Sequence, residues 1–101
     1  MKWLLPLLLV GCADYKWQLQ SPPSRSHEWV IVSSKQSLHE VCAIAMEKAP
    51  RLAACAFQIQ ATGKCWIYSI YAEEDAKHVY AGDKLNLWEH EMKHCQGFRH
   101  G

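Results

Sequence analysis

Near the C-terminal end of the sequence stands His90-Glu91-Met92-Lys93-His94, continuing Cys95-Gln96-Gly97-Phe98-Arg99-His100. Written by type this is HExxHxxGxxH. Two His four residues apart lie on one face of a helix, so both imidazoles can reach a single cation, while Glu91 occupies a neighbouring azimuth. A third ligand one turn further along the same face cannot close on the ion. The chain must leave the helix and double back, which Gly97 permits by adopting positive φ. Three neutral imidazoles leave the fourth tetrahedral position of Zn²⁺ to water, the arrangement of a catalytic site. Zinc lowers the pKa of that water toward about 7, and Glu91 can take its proton as it attacks a polarised carbonyl, then pass the proton to the leaving amine. The expected roles are therefore metal ligands for His90, His94 and His100, general base for Glu91 and turn for Gly97.

Short HExxH matches arise by chance in many proteins, but the extended pattern fixes five positions. Residue frequencies put an accidental match in a chain of this composition at on the order of one in ten thousand. At these residues the sequence resembles the metzincin-type zinc metallopeptidases, a resemblance covering about eleven residues of the 101. It implies the same three His ligands, the same Glu base and the same Gly turn. That family continues past the third His to a Met-containing turn beneath the zinc. No Met follows His100, Met92 lies within the motif helix and Met46 far upstream, so the Met-turn and the lower half of the substrate cleft are expected to be missing. The whole is also similar to small bacterial lipoproteins ending in an HExxHCxxGxxH-like segment. In minimal zincin cores an edge strand ahead of the motif pairs with extended substrate, which makes the hairpin strands Leu52–Gln60 and Cys65–Ala72 candidates for β-addition.

The N-terminus gives the address. Met1 to Cys12 reads MKWLLPLLLVGC: one Lys, an apolar run, a small residue and a Cys. The run is far shorter than the about 20 residues a transmembrane helix needs, and the pattern is that of a secretory signal. Leu9-Val10-Gly11-Cys12 resembles the bacterial lipobox, which implies cleavage before Cys12 and a lipid on its thiol. Ala13 after the Cys, with no Asp there, resembles an outer-membrane sorting signal. Expected divisions are residues 1–11 as signal peptide, 12–26 as lipidated Cys and extended linker, and 27–101 as a minimal metallopeptidase-like domain.

Composition agrees with one small domain: half of the residues are hydrophobic, and 11 basic side chains face 10 acidic ones without a run of like charge. A nucleic-acid partner is not expected. The expected partners are a peptide or protein substrate in the envelope and the membrane reached through Cys12. Setting Cys12 aside leaves Cys42, Cys55, Cys65 and Cys95, an even set suited to two disulfides in an oxidising compartment, with three possible connectivities. Cys95 points about 100° around the helix from His94, so a disulfide is favoured over a fourth ligand, with Cys42 as its expected partner and Cys55 joined to Cys65.

Elements that must position the motif follow from periodicity. Residues 13–26, with Pro22-Pro23 between Ser residues, have no apolar period and predict a spacer. Glu28 to Ser33 predicts a buried strand. Ser37 and Glu40 have capping-box spacing ahead of Leu38, Val41, Cys42, Ala45, Met46 and Ala49, an apolar helical face that Pro50 ends. Leu52–Gln60 and Cys65–Ala72 predict a hairpin turning at Gly63. Residues 73–82 read as loop, and Asp83 as the cap of a motif helix over 84–96. The sum is a disulfide-stapled α+β fold: a minimal zincin-like core of two helices with a short antiparallel or mixed sheet. His27, His39 and His78 lack ligand spacing and read as surface groups. The aromatic residues around Trp66, Tyr68 and Tyr71 read as core before groove, Tyr80 as a remote candidate for an oxyanion donor, and Glu89 as a solvated carboxylate. The rival to a hydrolase is a non-catalytic, disulfide-stapled envelope lipoprotein that binds a protein partner, with zinc structural or absent.

Overall fold

The structure is a computed structural model of the chain, and it describes residues 17–44, 53–82 and 84–100. The expected signal peptide, Cys12, the helix end with Ala45, Met46, Ala49 and Pro50, and the Asp83 cap all lie outside the described residues. Among the described residues the elements run in order: β1 (Trp17–Leu19), β2 (Ser26–Ile31), α1 (Lys35–Ile44), β3 (Ala54–Ile59), β4 (Lys64–Ser69), α2 (Glu73–Ala76), β5 (Tyr80–Gly82), β6 (Leu85–Asn86), α3 (Leu87–Cys95) and β7 (Phe98–His100). This is a small α+β fold stapled by two disulfides.

The central sheet has the order β2-β4-β3, with β4 parallel to β2 and antiparallel to β3. The expected hairpin forms, and Gly63 makes its turn at φ +71°. Successive strand residues alternate between faces, so register decides what each helix meets. Cys65, Ile67 and Ser69 of β4 lie opposite Gln58, Ala56 and Ala54 of β3 and turn toward α3. Cys55 and Phe57 lie opposite Tyr68 and Trp66 and turn toward Leu38 and Cys42 of α1. The two helices therefore cover opposite faces. Leu38 and Ile67, fully buried on either side, contribute roughly 1.5–3 kcal/mol each. Buried Ser69 is satisfied: its hydroxyl donates to the Ala53 carbonyl at 2.8 Å and accepts from the Tyr71 amide at 3.1 Å.

This parity corrects the expected cysteine pairing. The bonds are Cys42–Cys55, with Cα atoms 5.7 Å apart, and Cys65–Cys95, at 5.5 Å. Cys55 and Cys65 sit on adjacent strands but on opposite faces, and Cys42 and Cys95 belong to helices with the sheet between them, so neither expected pair can meet. Each disulfide fastens one helix to its own face.

Other expectations also shift. The α1 cap is Ser34, whose hydroxyl accepts from the Ser37 amide at 3.1 Å, so Ser37 falls inside the first turn. Residues 73–82 contain α2 and β5 in place of a loop. Most consequential, residues 17–26 are not a free spacer. β1 pairs antiparallel with β7, Gln20 donates to the Gly97 carbonyl at 2.8 Å, and Ser24 donates to the Cys95 carbonyl at 2.8 Å. Gln58 reaches across from β3, its amide donating to the Pro22 carbonyl at 2.9 Å, the Ser24 hydroxyl at 3.0 Å and the Cys95 carbonyl at 3.1 Å. Among the described residues no helix is long and apolar enough to cross a membrane.

Candidate metal site

The motif helix starts at a capping box that the sequence carries as Asn86-Leu87-Trp88-Glu89. Asn86 Oδ1 accepts from the Glu89 amide at 2.7 Å, and Glu89 Oε1 accepts from the Asn86 amide at 3.0 Å. Two otherwise unsatisfied donors of the first turn are thereby paired. Glu89 is thus a capping residue, and the helix begins at Leu87 rather than 84. One turn on, His90 and His94 project from the same face. The helix ends at Cys95 with Gln96 as its C-cap, Gly97 adopts φ +99°, and β7 carries His100 back toward the other two. A Cβ on Gly97 would collide with the carbonyl oxygen of Ser21, so this position needs Gly for space as well as for φ.

The three imidazoles converge. Ring centroids are 5.2 Å apart for His90 and His94, 5.1 Å for His90 and His100, and 4.9 Å for His94 and His100. Their ligating nitrogens lie within 4.8 Å of one another, and His90 Nε2 is 3.2 Å from His100 Nε2. Two nitrogens bound at the zinc distance and tetrahedral angle stand roughly 3.3 Å apart. The three-His group can hold a metal ion.

His94 shows the fit most directly. Its Nδ1 lies 3.0 Å from the Phe98 carbonyl, which can only accept, so the proton of the neutral ring sits on Nδ1 and Nε2 carries a lone pair. Nε2 is buried and has no hydrogen-bond partner among the described residues. An acceptor left this way costs about 1–3 kcal/mol, which a bound cation would relieve. Burial holds the His94 pKa down at about 4, against the Phe98 carbonyl, which raises it, and with the His90 and His100 rings lowering it further. His94 therefore remains neutral and ready to ligate at physiological pH. Glu91 is 3% exposed, on the same helix between His90 and His94.

Trp17 is the site residue that sequence reasoning missed. Its ring centroid is 5.1 Å from His90, 5.2 Å from His94 and 5.0 Å from His100, each in an edge-on arrangement. It is the cross-strand partner of His100. The Lys93 ammonium lies 5.9 Å from the Trp17 ring and 4.4 Å from that of Phe98. An aromatic residue in a polar tract was the sole signal, and no local spacing ties it to a motif at the other end of the chain.

The remaining candidates fall elsewhere. Cys95 is held by Cys65 and is no ligand. Trp66 and Tyr68 belong to the α1 face of the sheet, away from the α3 face. Because β4 is flanked on both sides, it has no edge to offer an extended peptide, while β3 keeps one. Tyr80 is 77% exposed, and His39 and His78 are exposed. His27 Nε2 is 2.9 Å from Glu73, whose same oxygen accepts from the Trp88 indole at 2.9 Å. The indole N–H, with His27 and Lys77 adding to it, holds the Glu73 carboxyl below the usual carboxylate range, against a smaller opposing effect of burial. Compared with protein-family models, curated proteins and solved structures, the chain finds no significant match. The functional reading rests on the geometry.

Proposed function

We propose that this chain is a zinc-dependent hydrolase acting on peptide bonds, held in the bacterial envelope by a lipid on Cys12. The observation that carries the reading is the convergence of three imidazoles around the buried, lone-pair-bearing Nε2 of His94. All-imidazole sites suit zinc, and three protein ligands leave one position for chemistry. Zinc held by His90, His94 and His100 would supply a Lewis acid for the scissile carbonyl and would make water easier to deprotonate. The rest falls to the chain. Glu91 takes a proton from the attacking water and delivers it to the departing amine nitrogen as the C–N bond breaks. The HExxHxxGxxH sequence supports the same roles by resemblance, and the lipobox-like segment supports the address.

The deciding experiment is Glu91→Gln in the oxidised chain, read by metal analysis and by cleavage of a peptide library. One zinc per chain with cleavage abolished is the expected result. Loss of zinc, or cleavage retained, would overturn the assigned roles. A second reading, a partner-binding lipoprotein with a structural metal, draws on one observation: Trp17 already stands against all three rings.

A further inference from the structure

The four rings of the site form a near-regular figure. The His centroids are 4.9–5.2 Å apart, and Trp17 is 5.0–5.2 Å from each of them. For a tetrahedral ion with three imidazole ligands, ring centroids stand roughly 5 Å apart, and the fourth vertex of that figure is the position left for water or substrate. An indole equidistant from all three ligand rings lies on the axis of the tripod.

The way Trp17 is delivered adds a second argument. The Gln20 amide donates to the Gly97 carbonyl as one half of a ladder pair, and stepping two residues along the antiparallel register makes Gln18 and Arg99 the next hydrogen-bonded pair. Trp17 and His100 are then of the intervening type, in which side chains approach closest. The strap formed by residues 17–24 is not held evenly. Its downstream part is laced to the fold by Gln20 and Ser24 on the carbonyls of Gly97 and Cys95, and by Gln58 on Pro22 and Ser24. Among the described residues β1 spans three positions, with Gln18 exposed and Leu19 64% exposed. A short strand with little buried apolar surface, joined to a firmly tied segment, is the kind of element that opens locally at low cost.

We infer that β1 is a built-in occupant of the metal site: Trp17 covers its open position while β1 takes the β7 edge, and an incoming ligand must displace both. This rests on the metal-site reading above and specifies its regulation. An extended peptide is the ligand class suited to the exchange, because it replaces β1's hydrogen bonds on β7 with its own.

The test measures access without turnover. The oxidised full chain is loaded with Co²⁺, and azide is titrated while the visible spectrum of the cobalt is followed. Trp17→Ala should bind azide at least tenfold more tightly than the parent chain. Gln18→Pro provides an independent variant, since it keeps the indole in the sequence but removes the β1 donor to Arg99, and it should shift azide affinity in the same direction. If both variants bind cobalt and azide as the parent does, Trp17 backs the rings without covering them and the inference is overturned, with the metal site intact. If the parent and both variants all fail to take up cobalt, the metal-site reading itself falls and the inference with it.

Discussion

His94 Nδ1 is 3.0 Å from the Phe98 carbonyl four residues on, so the backbone that leaves the helix also sets the tautomer of the imidazole that precedes it. The turn and the ring are one unit. His94→Ala is expected to reduce zinc from one per chain to none after dialysis, with affinity falling by more than the about 10–100-fold that loss of an outer-shell partner costs. Metal analysis together with a competitive chelator titration checks this.

The buried His94 ring also gives the metal-free chain a pH signature. Its folded pKa is about 4 against an ordinary value of 6.5. Above the ordinary value neither folded nor unfolded state carries the proton. As pH falls between the two values the unfolded chain takes up a proton that the folded chain refuses, so stability declines, by on the order of 3 kcal/mol once pH reaches the folded value. Glu73, whose pKa is lowered from 4.5, loses its contribution only as the pH falls below that. Denaturant midpoints of the metal-free chain between pH 7 and pH 4 should fall steadily, and His94→Gln should flatten the curve.

The two disulfides differ in what they hold. Cys65–Cys95 closes a 30-residue separation and ends one residue after His94, whereas Cys42–Cys55 closes 13 residues on the far face of the sheet. Each bridge restricts the unfolded chain by about 3–4 kcal/mol in the loop-entropy account. Replacing Cys65 and Cys95 by Ser should lower both the thermal midpoint and metal affinity. The Cys42/Cys55 double replacement should lower the midpoint while leaving metal affinity within about twofold where the chain remains folded, since distant sites act independently.

Gly97→Ala should be more harmful than a turn substitution usually is. Positive φ alone costs about 1–2 kcal/mol with a Cβ present, and here the added carbon also meets the Ser21 carbonyl. The substitution is expected to push the 17–24 strap and β7 apart together, which hydrogen exchange at the Gln20 and Ser21 amides would register as faster opening.

The three-His cluster was legible because a helix converts sequence spacing into spatial position without outside help, and the glycine that reverses the chain is part of the same short pattern. The hairpin was legible for a similar reason. The cysteine pairing was within reach: a turn at Gly63 fixes the register Ile59 to Lys64, which places Cys55 and Cys65 on opposite faces. The caps were missed where two equally good polar residues competed. Ser34 precedes Ser37, and Asn86 with Glu89 forms the box three residues beyond Asp83. Trp17 was beyond reach, because its position comes from pairing between segments far apart in the chain, and a polar tract around Pro22-Pro23 reads locally as a spacer. No resemblance confined to the motif carries information about that strand.

The pairing of β1 with β7 joins the two extremes of the described chain, and contacts between distant segments must close the longest loop before they return any stabilisation. The helix and the hairpin, built from neighbours in sequence, have no such delay. During refolding α3 therefore presents His90 and His94 before the indole arrives, and for that interval an ion on the proposed site would be more accessible than in the finished protein. Zinc supplied early in folding should load faster than zinc offered to the completed fold.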